Sequence, residues 1–188
     1  EERLDVEYPV VEGLKNRAAE EYINGVIYSI VTTEITNSGY YDDEETEVTG
    51  RYHIRTNEKG ILSVSIEIYW FSGGAHGMTV IRSVTFNEKS GKIYRLEDLF
   101  KPGADYMRRL TDIIKRQIQA RDIPLLVDFT SIAPDQDFYI DERRLNIYFQ
   151  LYELAAYVYG FLTFPIPYDE IEDIVSKDSP LNILRRPA

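Results

Sequence analysis

The stretch "GILSVSIEIYWFSGGAHGMTVIRSVTF" (residues 60–86) decides the fold. Leu62, Val64, Ile66, Ile68 and Trp70 alternate with shorter or polar residues, the period of a strand with one apolar face. The run ends in three glycines within five positions, wrapped around one of only two histidines, and "MTVIRSVTF" then resumes the strand pattern. Upstream, "EVTGRYHIRT" sets Val48, Gly50, Tyr52 and Ile54 against Thr49, Arg51, His53 and Arg55, and "NEKG" turns it into the quoted stretch. Three strands joined by short turns predict an antiparallel meander. Trp70 and Ile66 are expected in its core, facing the long helix that precedes it.

That helix is predicted from about Gly13 to about Thr36. Leu14, Ala18, Tyr22, Val26 and Ile30 form one row at i+4 spacing, and Ala19, Ile23, Ile27, Val31 and Ile35 a second. Pro9 keeps the preceding "VEYPVV" extended. After the meander, Tyr106, Leu110, Ile113, Ile114 and Ile118 define a second helix from about Pro102. "DFYI", the turn "DERR" and "LNIYFQ" give a second hairpin, and "FLTFPIPYDE" reads as a proline-ended edge strand with a short helix opening near Asp169. The predicted class is α+β: an antiparallel β meander and a second hairpin packed against two main helices. The 188 residues are expected to form a single domain, with an N-terminal helix-plus-strand lobe (about 1–70) and a C-terminal lobe (about 71–175) sharing one core.

Charge and composition narrow the function. A formal net charge of −11 opposes binding to nucleic acid or anionic membrane surfaces, where Lys and Arg must neutralise phosphate, and suits a cationic partner. The absence of cysteine excludes disulfides, thiolate nucleophiles and cysteine-bound metals. The longest nearly uncharged run, Leu154–Tyr168, is too short to span a membrane and is broken by Gly160, Pro165 and Pro167. A first residue of Glu points to a processed or trimmed N-terminus, so an anchor or signal would precede it.

No "GxSxG", "HExxH" or "GxxxxGK" is present. Paired acids (Asp42/Asp43, Glu97/Asp98, Asp141/Glu142, Glu172/Asp173) fall in predicted turns or helix ends, where carboxylates are solvated or cap a helix. Five acids in six positions from Asp42 to Glu47 lack the regular ligand spacing and turn glycine of a calcium loop. In "SGGAHG", Gly73, Gly74 and Gly77 either answer a steric need of the crossover or let an exposed tip, with Ser72 and His76, enter a partner's cleft. Of the 15 tyrosines, Tyr148, Tyr152, Tyr157 and Tyr159 cluster, as core filling or as a contact platform. "FPIPYDE", with Pro165, Pro167 and Tyr168, reads as a rigid ridge that loses little freedom on docking.

"YPVVEGLKNRAAEEYINGVI", "YWFSGGAHGMTVIRSVTFNEKSGKIYRLEDLF", "DFYIDERRLNIYFQLYELAAYVYG" and "FPIPYDEI" together resemble the extracytoplasmic domain shared by RsiV-type anti-sigma factors and PdaC-type peptidoglycan deacetylases. "SGGAHG" followed by "GKIYRLEDLF" is the most specific part. The resemblance implies a cell-envelope location outside the membrane, membrane-anchored or secreted, with a membrane tether N-terminal to these residues. It implies a domain that binds lysozyme in RsiV-type proteins and precedes a separate catalytic domain in PdaC-type ones. The expectation is therefore a non-catalytic recognition or sensor domain for a cell-wall-active, lysozyme-like protein or for wall glycan. The alternative is an accessory module of a peptidoglycan-modifying enzyme, or such an enzyme with His76 as base. Partner contacts are expected at Ser72, Gly73, Gly74, His76, Gly77, Pro165, Pro167 and Tyr168, with both segments engaging one cleft, and neither cofactor nor metal is expected. Two isolated histidines and solvated acids hold no ion tightly, so chelator should leave the melting temperature unchanged; a drop reversed by calcium or zinc would overturn this reading.

Overall fold

A computed structural model describes residues 3–141 and 143–185. Glu142, with the Asp141/Glu142 pair and part of the "DERR" turn, lies outside the described residues. The first sheet has the order β1 (Leu4–Val6), β2 (Glu47–Glu58), β3 (Ile61–Phe71) and β4 (Met78–Asn87). The meander β2–β3–β4 is antiparallel, while β1, of which only Val6 fell in the segment predicted to be extended, joins β2 in parallel and makes the sheet mixed. The second sheet is β5 (Phe138–Asp141), β6 (Arg144–Phe149) and β7 (Leu162–Ile166), all antiparallel. Three helices accompany them among the described residues: α1 (Arg17–Asn37), α2 (Tyr106–Ala120) and the short α3 (Pro180–Arg185), which the sequence reading did not anticipate. The helix expected at Asp169 is a single 3₁₀ turn, Tyr168–Glu170.

Helix α1 starts four residues later than predicted. Gly13 has φ +82°, outside the helical region, and Asn16 caps the first turn by accepting from the Ala19 amide at 3.2 Å. Only one of its two apolar rows is buried: Ala19, Ile23, Ile27, Val31 and Ile35 cover the first sheet, whereas Tyr22 of the other row is exposed. A single sheet fully buries a single stripe of a helix, so the second row lies at its rim, with Leu14, Val26 and Ile30 packed partly buried against the same cluster and Ala18 and Tyr22 exposed. Helix α2 begins at Tyr106 rather than near Pro102 because Asp105, by accepting from the Arg108 amide, sets its start.

The buried side chains form two clusters instead of the single shared core expected. One joins α1 to β2, β3 and β4 through Ile23, Ile27, Val64, Ile66, Ile68 and Phe86; the other packs α2 and α3 on the second sheet through Leu110, Ile114, Ile147, Phe164 and Leu184. The lobe boundary expected near residue 70 falls inside the first sheet, because β4 completes that sheet. Ile66 is fully buried as predicted, but Trp70 is only partly buried at the cluster's rim.

Between the clusters lies a polar seam. The face of the first sheet opposite α1 carries Ser63, Ser65, Ser83 and Thr85, whose hydroxyls bond in cross-strand pairs, Ser63 with Thr85 and Ser65 with Ser83, each at 2.9 Å. Strand β5 lies against this face. The Ile140 amide donates to Ser63 Oγ at 3.1 Å, and Thr56 Oγ1 donates to the Ile140 carbonyl at 2.8 Å. Ser63 and Ile140 are both 0% exposed, so these bonds have no water to replace them. Ser63→Ala should therefore cost about 1–3 kcal/mol, by leaving a buried N–H without its acceptor. Ile66→Ala should cost about 2–5 kcal/mol, and Trp70→Ala should fall below the about 3–5 kcal/mol of a fully buried tryptophan. Urea melts of the three variants check this order, and a neutral Ser63→Ala would remove the seam from the account.

Candidate functional site at the glycine-loop end

The β3–β4 register runs to Trp70 opposite Met78, so the glycine loop closes this hairpin at one end of the first sheet. Its glycines have separate reasons. Gly73 (φ +84°) and Gly74 (φ +95°) turn the chain through the left-handed region with open space around both. Gly77 is buried, and a Cβ there would collide with the ring of Tyr69. Ser72, Gly73, Gly74, Ala75 and His76 are all exposed.

Two neighbouring segments complete this end. Ser72 Oγ bonds Thr46 Oγ1 at 2.8 Å, which ties the loop to the acidic run, where Asp42, Asp43, Glu44, Glu45 and Glu47 are exposed. Asp43 holds that run in shape by accepting from the Glu45 amide at 2.9 Å. On the other side, the His76 ring stacks on Tyr157 with centroids 4.5 Å apart, and its Nε2 lies 3.4 Å from the Tyr152 hydroxyl. His76 Nδ1 is 2.8 Å from the Gly77 carbonyl, so Nδ1 carries the donated proton and Nε2 accepts from Tyr152 in the neutral ring. Tyr152 itself has φ +65°, an uncommon conformation for tyrosine, and this turns the chain after β6 back over the loop. Val158 is 84% exposed, and Tyr152 and Tyr159 are about half exposed. An antiparallel bridge between Leu125 and Ala155 steadies the segment from the far side.

Among the predicted residues the structure brings Ser72, Gly73, His76 and Gly77 together, lining one shallow pocket with Trp70 and Met78. It does not bring Pro165, Pro167 and Tyr168 to them. Strand β7 runs antiparallel to β6, with Leu162 opposite Phe149 at the near end and Ile166 opposite Leu145 at the far end. The "FPIPYDE" ridge is thus carried away from the loop, and Tyr168 lines a different pocket with Glu172, Lys177, Asn182 and Arg185. Pro165 sits where proline is tolerated, on a strand paired on one side only, and its carbonyl accepts from Gln117 of α2 at 2.7 Å. Tyr168 bonds Asn182 and lies under the Arg185 guanidinium, 3.9 Å from its ring centre. The place expected for the ridge is occupied by Tyr152, Tyr157, Val158 and Tyr159. The tyrosine cluster in the sequence signalled this segment, and the two roles considered for it divide: Tyr148 is buried, while Tyr152 and Tyr159 are exposed.

Comparison with known proteins bears on this arrangement. Residues 2–79 match the family described as Deacetylase PdaC, and residues 97–169 match that described as Protein of unknown function (DUF3298). The chain is 28% identical over 149 residues to peptidoglycan-N-acetylmuramic acid deacetylase PdaC of Bacillus subtilis, covering 72% of this chain and 32% of that protein. It is 29% identical over 196 residues to anti-sigma-V factor RsiV of the same organism, covering 92% of this chain and 65% of that one. These matches are consistent with a domain of the kind that RsiV-type and PdaC-type proteins share. A DUF3298 family structure from Bacteroides fragilis has the same fold, with TM-score 0.63 at 16% identity over 90% of this chain and 70% of that one. A second, from Pseudomonas aeruginosa, gives TM-score 0.60 at 19% identity over 73% and 64%. The chain thus spans about a third of PdaC and about two thirds of RsiV.

The two sheets are joined behind the site by a charged and polar network. Arg82 of β4 donates to the carboxylate of Glu34 of α1 at 2.7 Å. Gln150 Nε2 donates to the Ile81 carbonyl at 2.8 Å and to Asp137 at 2.7 Å, and Tyr148 donates to the same Ile81 carbonyl. Burial pushes the Asp137 carboxyl above the usual carboxylate range, with the Gln150 bond and the Arg82 charge only partly opposing it. Burial likewise raises the Tyr148 phenol. A carboxyl whose proton is held more tightly folded than unfolded makes the native state the better proton binder, so its contribution to stability falls as pH rises through the window. Asp137→Asn should therefore melt above the parent at neutral pH. The difference should vanish below about pH 4, where Asp137 is protonated in both states. Thermal melts from pH 3 to 8 check the sign, and a less stable variant at pH 7 would show that the Arg82 attraction dominates.

Proposed function

We propose that this domain is a non-catalytic, extracytoplasmic recognition module that binds a cationic, cell-wall-active protein of the lysozyme kind through its glycine-loop end. The observation that carries the reading is one exposed tip built from two sheets: the Ser72–Gly77 loop stacked through His76 on Tyr157, with Val158 and Tyr159 beside it. A narrow glycine tip enters a cleft that side chains would block, and rigid tyrosines give contact area at small entropic cost. The exposed acids Asp42–Glu47 at the same end supply the field that steers a basic partner, in keeping with the net charge of −11. Pro165, Pro167 and Tyr168 have no part in this contact. Resemblance to an anti-sigma factor favours a sensing role, with the domain outside the membrane and anchored through chain N-terminal to it; no described helix is long and apolar enough to cross a membrane.

A second reading has its own support. Exposed Tyr152 and Tyr159, with the His76–Tyr157 stack, form a surface on which sugar rings pack, and a relative named for peptidoglycan deacetylation favours wall glycan as ligand, bound by an accessory module.

Gly74 is unsuitable for a steric test, since its positive φ would confound lost binding with strain. Ala75 is exposed with ordinary backbone geometry, so Ala75→Trp adds bulk to the tip alone. Calorimetric titration with an animal-type lysozyme should give saturable binding that weakens with salt and falls at least about tenfold in Ala75→Trp and in Tyr159→Ala, with melting curves unchanged. Binding of soluble muropeptides instead, lost in the same variants, would favour the glycan. Turnover of muropeptides abolished by His76→Ala would overturn the non-catalytic reading, and no binding by either ligand would overturn recognition at this end.

A further inference from the structure

Strand β2 is twelve residues long, but β1 covers only three of them: Leu4 lies opposite Val48, Asp5 opposite Thr49 and Val6 opposite Gly50. The Val48 amide donates to the Arg3 carbonyl, and the Gly50 carbonyl accepts from the Glu7 amide. Even-numbered residues of β2 therefore turn their backbone groups to the outer edge, and Tyr52 and Ile54 continue that row. The pairing stops there because Pro9 has no N–H to offer and the chain leaves β2 to cross α1, where Asn24 bonds both the amide and the carbonyl of Val11 at 2.8 Å. Among the described residues none bonds the outward groups of Tyr52 and Ile54.

The surface beside this open edge is apolar on one face. Val10 is 61% exposed and Ile54 47%, with Tyr8 and Tyr52 exposed next to them; Val10, Val11, Ile54 and Leu62 line a groove between the departing chain and β2 whose rim also carries Glu12 and Glu88. The other face of the edge carries Arg51, His53 and Arg55, and no acid occurs in β2 between Glu47 and Glu58; Glu67 stands opposite Arg51 on the β3 side, away from the edge. In a chain of net charge −11 this is an unusual row. Strand β1 already shows what the edge selects. Its Asp5 pairs with Arg51 at 2.6 Å, while Leu4 and Val6 pack on the first core.

From this we propose that the Arg51–Arg55 edge of β2 is a strand-addition site for an extended peptide in which acidic and apolar residues alternate. The peptide's backbone bonds the outward groups of Tyr52 and Ile54, its apolar side chains enter the Val10–Ile54 groove, and its acids fall on the face of His53 and Arg55, beyond Arg51, which Asp5 already holds. A second copy of this chain is a poor occupant. Antiparallel pairing of two such edges about His53 would set Arg51 against Arg55, and both chains are strongly acidic.

The test uses a fluorescein-labelled peptide of four Asp-Val repeats, with four Lys-Val repeats as control. Fluorescence anisotropy should show saturable binding of the acidic peptide and at least tenfold weaker binding of the basic one. Amide hydrogen exchange should show new protection at Tyr52 and Ile54. Ile54→Lys places a charge at a half-exposed edge position, where the fold tolerates it, and should abolish binding without moving the melting temperature. Peptide binding that survives Ile54→Lys, protection elsewhere, or no binding at millimolar peptide overturns the proposal. So does a concentration-dependent dimer that Ile54→Lys dissolves, since the occupant would then be a second copy.

Discussion

The backbone of Ile140, held on both sides by hydroxyls of the first sheet, is the constraint on which the rest of the structure depends. Its amide meets Ser63 and its carbonyl meets Thr56, so β5 is set against the meander by bonds of fixed direction. Apolar packing is non-directional and would tolerate sliding of one sheet over the other. The Ser63–Thr85 and Ser65–Ser83 pairs leave each hydroxyl satisfied, and no described buried side-chain nitrogen or oxygen lacks a partner. A fully satisfied polar layer of this kind fixes register where two greasy surfaces would not.

The site inherits its geometry from that seam. His76 belongs to the first sheet's hairpin and Tyr152 and Tyr157 to the chain that follows β6, so their stacking requires the two sheets to be held in one relation. Ile81, just beyond the loop, is bonded by both Tyr148 and Gln150 and forms the second fixed point. With the sheets pinned at Ile140 and at Ile81, the segment from Tyr152 to Tyr159 emerges beside the glycine tip. The proposed recognition surface is thus a property of the junction and belongs to neither sheet alone.

Much of the fold was legible because its strands and helices obey simple periods. The rows Leu62–Ile68 and Ile23–Ile35 identified a strand face and a helix face that do meet in one core. What escaped is equally physical. The serines of "SVSIEI" look like a solvent-facing row, since a buried hydroxyl and an exposed one are the same letter; only the arrival of β5 buries them. The two rows read on α1 are likewise the same letters, yet only the one centred on the sheet is fully buried, while Leu14, Val26 and Ile30 pack at its rim. The glycine loop was correctly located at a bend, but its neighbour was misplaced, because pairing direction carries β7 away from the loop and sequence proximity to Tyr159 says nothing of that direction. Tyr152 in the left-handed region left no trace in the sequence, as glycine or asparagine would have done.

The two ends of β2 show how one strand serves opposite demands. At Glu47 it leaves the acidic run, tied by Thr46 to Ser72, and presents carboxylates to solvent; a few residues on, Arg51 to Arg55 reverse the sign. Strand β1 spans the change, with Asp5 neutralising Arg51 just where the pairing is about to end. The proline that ends it prevents the N-terminal chain from zipping along the whole edge, and Asn24 then holds that chain over α1 by two backbone bonds. Completing the strand would have satisfied the Tyr52 and Ile54 backbone from within the chain. Proline at position 9 keeps that edge open, so its hydrogen-bonding capacity remains directed outward beside the groove that Val10 and Ile54 line.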